Sequence, residues 1–198
     1  MNYLAHAYLS FGGEELLFGN FIGDFVKGRT NNTLPDEIWK GVVLHREIDS
    51  FTDNHEATRQ AKEMIRADLG LSSGIFIDMI FDHILANEWQ HYSDIKLEEF
   101  TQKTYESMGQ FEIHFPDKFA YMFHHMRKDD WLKHYKDEFY MNRFLAGVSR
   151  RLKAENYLQG SFVLYKMNQK ELDVCFHSLF EDLIEFSRSY NNQTIRQI

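Results

Sequence analysis

One cysteine in 198 residues excludes an intramolecular disulfide and any cysteine-rich metal cage. That residue, Cys175, falls among Leu172, Phe176 and Leu179 on an apolar helix face, where packing is its expected role. Proline is almost as scarce. Pro35 and Pro116 each stand directly before an acidic residue and a periodic segment, the helix-start position that tolerates proline, so no helix interior is broken. Long apolar runs are missing as well: the stretch near Leu16 to Val26 is interrupted by Asn20 and Asp24 and falls short of the ~20 residues a membrane-spanning helix needs. The opening MNYLAHAYLS has no basic segment and meets Glu14 and Glu15 before an apolar run forms, so a cytoplasmic address without membrane association is expected. Positive charge is in deficit. A net charge of -8 argues against a nucleic-acid coat, because neutralising phosphates takes a basic surface.

No alternating strand pattern, repeat or low-complexity tract occurs, whereas helical periodicity is widespread. From Leu172, apolar residues recur at Cys175, Phe176, Leu179, Phe180, Leu183 and Ile184, with acids on the other side, which predicts an amphipathic helix. Weaker patterns predict helices over roughly 13 to 28, 36 to 51, 55 to 69, 74 to 91, 97 to 108, 116 to 126 and 137 to 152. Short polar breaks between them suit a bundle. The fold class that follows is all-α, a compact helical bundle with one domain over residues 1–190 and a tail, 191–198, expected to fray. Eighteen phenylalanines and ten tyrosines supply its core.

Chemistry concentrates in four strings of the first 83 residues: MNYLAH, GNFIGDFVKG, LHREIDSFTD and DMIFDH. On a helix from Asp36, residues Ile38, Val42, His45 and Asp49 share a face, since positions four apart are neighbours, and Asp53 continues the line. His45 and Asp49 alone would pass for a surface ion pair, but the stripe around them is apolar and Arg46 adjoins it. Asp24 follows Asn20 by one turn in a segment where Gly19 and Gly23 remove side chains and admit another backbone. Asp78 and Asp82 lie one turn apart in a very apolar helix, with His83 about 100° round from Asp82. Two acids and a histidine there call for a cation, and oxygen and imidazole donors without thiolate suit manganese, iron, zinc or magnesium. His6, on the first helix, reaches the same cavity either as a ligand or as a hydrogen-bonded histidine behind one.

In order and spacing these strings resemble the acyl carrier protein phosphodiesterases, a family similar to a divergent branch of HD-type metal phosphohydrolases. The likeness covers the first 90 residues well, and beyond them WLKHY from Trp131 is the clearest echo. It implies a helical fold, a divalent metal, most often manganese, and hydrolysis of the phosphodiester joining 4'-phosphopantetheine to a serine of holo-acyl carrier protein. Carried onto this sequence it implies metal or active-site roles for Asp24, His45, Asp49, Asp82 and His83, with His6 and Asp78 in support. One departure stands out: the chain has no His-Asp dipeptide, and its only adjacent pair is Asp82-His83, in reversed order.

The expected assignment makes Asp24, His45, Asp78, Asp82 and His83 metal ligands and places His6, Arg46 and Asp49 in catalysis. Arg46 would hold a phosphate oxygen, and whichever of His6 and His45 is not a ligand would protonate the leaving serine. An acidic carrier protein needs a local basic patch, for which Lys27, Arg29, Arg59, Lys62 and Arg66 are the expected residues. The rival readings are a metal phosphohydrolase acting on a nucleotide or other small phosphoester, and a non-catalytic helical module whose buried acids and histidines pair with one another.

Overall fold

The computed structural model describes residues 1–28, 34–151, 158 and 160–195, and every regular element among them is helical. In chain order these are α1 (Tyr3–Tyr8), α2 (Glu14–Ile22), α3 (Asp36–Asn54), α4 (Glu56–Leu69), α5 (Ser73–Asn87), α6 (Trp89–Tyr92), α7 (Leu97–Gly109), α8 (Asp117–Lys128), α9 (Trp131–His134), α10 (Glu138–Arg151), α11 (Phe162–Met167) and α12 (Gln169–Ile195).

Local chemistry sets the helix ends. The Asn2 side chain accepts the Tyr3 N–H at 2.9 Å and starts α1. Pro35 and Pro116 precede α3 and α8, as their fixed φ favours. Gly70, with φ at +52°, ends α4 in a conformation that side chains resist.

The centre of the molecule is the pair α2 and α3, which cross with almost nothing between them. A Cβ on Gly19 would overlap the Ile38 carbonyl and lie 2.8 Å from the Gly41 Cα, and one on Gly41 would overlap the Leu16 carbonyl. Around this seam α12 packs on α3 and α4, while α5 packs on α1, α4 and α10. Helix α5 is buried on nearly every side, from Phe76 through Ala86 with Asp78 the one break. Rings fill the remaining space, with Phe18, Phe21, Phe119 and Phe176 fully buried. Cys175 is buried among them at 4% exposure, as its neighbours indicate. The helical run Glu56–Asn87 contains one 18-residue window apolar enough to cross a membrane by length and composition, but 67% of that window is packed inside the fold, as in a core helix.

Three boundaries differ from the periodicity. The segment expected as one helix over 13 to 28 leaves α-geometry at Ile22 and tightens into a 3-10 turn, Gly23–Phe25, where the missing Gly23 side chain leaves room for the His45 ring. The segment 74 to 91 breaks at Glu88 into α5 and α6. Helix α12 runs on to Ile195, past the point where fraying was expected; the Tyr190 hydroxyl, 3.4 Å from the Lys40 carbonyl, ties that turn to α3.

Candidate metal centre

Three helices bring one donor group each, or two, to a single point. Helix α3 contributes His45 and Asp49, which the one-turn spacing puts on the same face. His6 comes from α1, and Asp24 from the 3-10 turn after α2. His6 Nε2 lies 3.2 Å from Asp49 Oδ1, and His45 Nε2 lies 3.2 Å from Asp49 Oδ2 and 3.3 Å from Asp24 Oδ1. The candidate donor atoms of His6, His45 and Asp49 all fall within 4.8 Å of one another. The two imidazoles are buried at 2% and 4% exposure, whereas the Asp24 side chain is 66% exposed.

Asn20, fully buried on α2, aims both rings. Its Nδ2 donates to the His6 carbonyl at 3.0 Å and to Ser10 Oγ at 2.8 Å, which turns Oδ1 toward His6 Nδ1 at 2.8 Å. Its backbone carbonyl lies 2.7 Å from His45 Nδ1. Both acceptors are carbonyl oxygens, so each Nδ1 carries the hydrogen and donates, and each Nε2 is left for the cluster. His6 Nε2 consequently points a lone pair at a carboxylate oxygen, and it is buried without a hydrogen-bond partner among the described residues. Two electron-rich atoms 3.2 Å apart repel unless a cation lies between them.

The electrostatics agree. For His6, burial and then the charge on His45 push the pKa down, which keeps this imidazole neutral. Burial opposes charge on His45, but Asp24 and Asp49 overcome it and raise the pKa to about 9. Burial likewise works against ionised Asp49, yet chiefly the hydrogen bond from His45, with the Met1 amine adding its charge, holds its pKa well below the carboxylate range. Asp24 is lowered chiefly by His45. With no metal bound, a proton on His45 Nε2 is the positive charge that this group of acids requires. A divalent ion meets the same requirement with the two imidazole nitrogens and the Asp49 carboxylate, Asp24 standing beside His45, a donor set open to manganese, iron, zinc or magnesium.

Other expected site residues go elsewhere. Asp78 pairs at 3.0 Å with the Met1 amino group, which also lies 3.8 Å from Asp49, so Asp78 borders the cluster through that amine. Asp82 is not among the converging ligands: wholly buried, it accepts the Leu4 and Ala5 N–H groups at 2.7 and 3.3 Å and satisfies the orphan donors at the start of α1. His83 is directed away, with Nδ1 2.7 Å from the Tyr135 carbonyl and its ring edge-on to Phe162 and Tyr165. The Arg46 guanidinium donates to the Val26 carbonyl at 2.8 Å and lies over the Trp39 ring, which steadies the segment just after Asp24. Asp53 is exposed and bonded to Lys62 at 2.8 Å. Of the expected basic patch, Arg59 pairs with Glu56, Lys62 with Asp53 and Arg66 with Glu63, so α4 offers little unbalanced charge. Lys27 is exposed three residues after Asp24, and Arg29 lies outside the described residues.

Two groups were not assigned roles by the sequence reading. The Met1 amino group left no signal. Asn20 did leave one, a buried amide in an apolar helix one turn before Asp24, which needs partners inside the core.

Comparison with known proteins agrees with this arrangement. The family model for acyl carrier protein phosphodiesterase matches residues 1–183. A relative from Escherichia coli O6:H1 named acyl carrier protein phosphodiesterase is 29% identical over 186 residues, covering 93% of this chain and 96% of the relative. Another of that name, from Escherichia coli O139:H28, is 32% identical over 152 residues, 76% of this chain and 79% of its own length. No solved structure gives a significant match. With the match running from the first residue through most of α12, and so across every residue of the His6, Asp24, His45 and Asp49 cluster, the chain belongs to the acyl carrier protein phosphodiesterase family.

Proposed function

We propose that this chain hydrolyses the phosphodiester between 4'-phosphopantetheine and a serine of holo-acyl carrier protein, with a divalent ion held by His6, His45, Asp49 and Asp24. The relatives' name supplies the reaction, and the buried, unpartnered His6 Nε2 aimed at Asp49 is the observation that supports a metal. Manganese is the ion we favour, and a cytoplasmic location goes with the reading.

A bound divalent ion supplies water whose pKa falls from about 15.7 toward 7 and offsets the charge on the phosphodiester. The chain's own groups do the rest. Asn20 holds both imidazoles in the tautomer that presents Nε2. Asp24, the exposed carboxylate, stands where substrate enters, and Arg46 fixes the backbone beside it through Val26. Both imidazoles face Asp49, so the reading gives both a holding role and neither the protonation of the leaving serine. Lys27, exposed next to Asp24, provides local positive charge for an acidic carrier protein on a chain of net charge -8, while the α4 cations are offset by their neighbours.

The test is intact mass of holo-acyl carrier protein after incubation with metal-stripped protein, with and without added manganese. Loss of the phosphopantetheine mass only with metal, and not with Asp49→Ala, is the expected result. An unchanged mass under manganese, iron, zinc and magnesium, with the carrier protein folded, overturns the reading.

A further inference from the structure

Beside the metal centre lies a cavity of about 730 Å³, within the size range of small-molecule sites. Its lining includes Asp24 of the cluster, with Asp78 and Met1 that border it, and Ala146, Gly147 and Val148 of α10. The lining is also aromatic and apolar with a few polar tips: Tyr3, Trp131, Tyr135 and Tyr140 alongside Ile75 and Met79. Tyr135 is only 3% exposed. Burial pushes that phenol's pKa well up, so it remains a donor at any ordinary pH. Arg143 also lines the cavity, its guanidinium resting over the Phe139 and Tyr140 rings at 5.7 and 5.6 Å and free of any ion pair among the described residues.

We infer that this cavity binds the arm of the substrate beyond the phosphate: an extended, branched aliphatic chain carrying amides and ending in a thiol. The inference rests on the phosphopantetheine reading above. Such an arm needs apolar walls for its methyl and methylene groups and a few donors for its amide oxygens. The Tyr135 hydroxyl, the Trp131 indole and Arg143 are donors of that kind set in apolar walls. Asp24, a carboxylate of the cluster, lines the cavity together with Met1 and Asp78, so a phosphate held at the cluster has its substituent directed toward these walls.

Gly147 offers a direct test. It lies in helical backbone, and a Cβ built on it meets nothing nearer than Arg150 Nη2 at 3.9 Å, so Gly147→Trp grows into the cavity with no backbone in its way. The manganese-loaded full chain is titrated with free 4'-phosphopantetheine by calorimetry, and the KM for holo-acyl carrier protein is measured alongside. The expected result for Gly147→Trp is phosphopantetheine binding weakened by about tenfold or more and a matching rise in KM, with manganese affinity and melting temperature retained. If that variant melts early, Ala146→Leu, a smaller filling of the same wall, is measured in its place. Wild-type phosphopantetheine affinity and KM in a folded, metal-competent variant would overturn the inference while leaving the reaction intact. Loss of phosphopantetheine binding in the variant, with no cleavage of carrier protein by the wild type, would instead uphold the site and refute the reaction.

Discussion

The ring of His6 is stacked on the ring of His45, centroids 4.1 Å apart and planes 18° from parallel, with both Nε2 atoms directed at the Asp49 carboxylate. Two imidazoles from different helices adopt this pose because one residue, Asn20, takes the hydrogen from each Nδ1.

Asn20→Ala therefore disorients His6 without removing a ligand, since the backbone carbonyl that holds His45 remains. Metal affinity is expected to fall 10–100-fold, the usual effect of losing a partner behind a ligand. Stability should fall by about 1–3 kcal/mol, because the His6 carbonyl and Nδ1 lose a buried partner. Manganese titration calorimetry and urea unfolding measure the two effects separately. An unchanged manganese affinity would remove Asn20 from the account.

Asp49→Asn keeps the volume and deletes the charge that both imidazoles face. Manganese binding should drop below detection and the phosphopantetheine mass should stay on the carrier protein. Asp82→Asn, by contrast, should leave manganese binding near wild type, because Asp82 holds backbone N–H groups of α1. Equal loss in both variants would return Asp82 to the ligand set.

The same Asp82 predicts a pH dependence. Burial raises its pKa to about 7 from an ordinary carboxyl value of 3.8, despite the N–H groups of Leu4 and Ala5. Between those values the folded protein keeps a proton that the unfolded chain has released. The stability this carboxyl contributes is thus fully present below about pH 4 and is lost as pH rises through 7. Asp82→Asn has no such proton to lose, so its stability relative to wild type should improve from pH 5 to pH 7.5 by a kcal/mol or more, on the order of one pKa unit of linkage. Parallel stability curves over that interval would contradict the burial argument.

Gly23→Ala should damage the site more than the fold. An added Cβ would collide with the His45 ring, and a shift of that ring misplaces Nε2. Gly41→Ala should damage both, with about 1–3 kcal/mol lost to overpacking against the Leu16 carbonyl. Thermal melts paired with manganese titration distinguish the two: Gly23→Ala should melt closer to wild type yet bind metal worse.

Which parts of this were legible in the chain follows from what periodicity measures. Helix α3 is amphipathic, so the spacing of His45 and Asp49 put them on one face, and Gly19 foretold a close backbone approach that Gly41 completes. Helix α5 is buried nearly all round, and there spacing carries no direction: Asp82 and His83 look equally inward, yet one turns to α1 and the other to Tyr135. The short α9 and α11 are below the length at which a period can be read. Arg46 was assigned to the phosphate because its neighbours in sequence suggest the site, while its length lets it reach Val26 and Trp39, contacts that spacing does not reveal.

The seam between α2 and α3 has a mechanical meaning for the chemistry. Asn20 follows Gly19 directly, and His45 comes one turn after Gly41, so the place where the two backbones touch and the atoms that aim both imidazoles are one rigid piece. Any thickening of that joint is delivered undiminished to the ligand atoms, with no flexible side chain in between to absorb it. The glycine pair is in this sense a gauge block, and repacking elsewhere in the bundle can recover stability lost there without recovering reach.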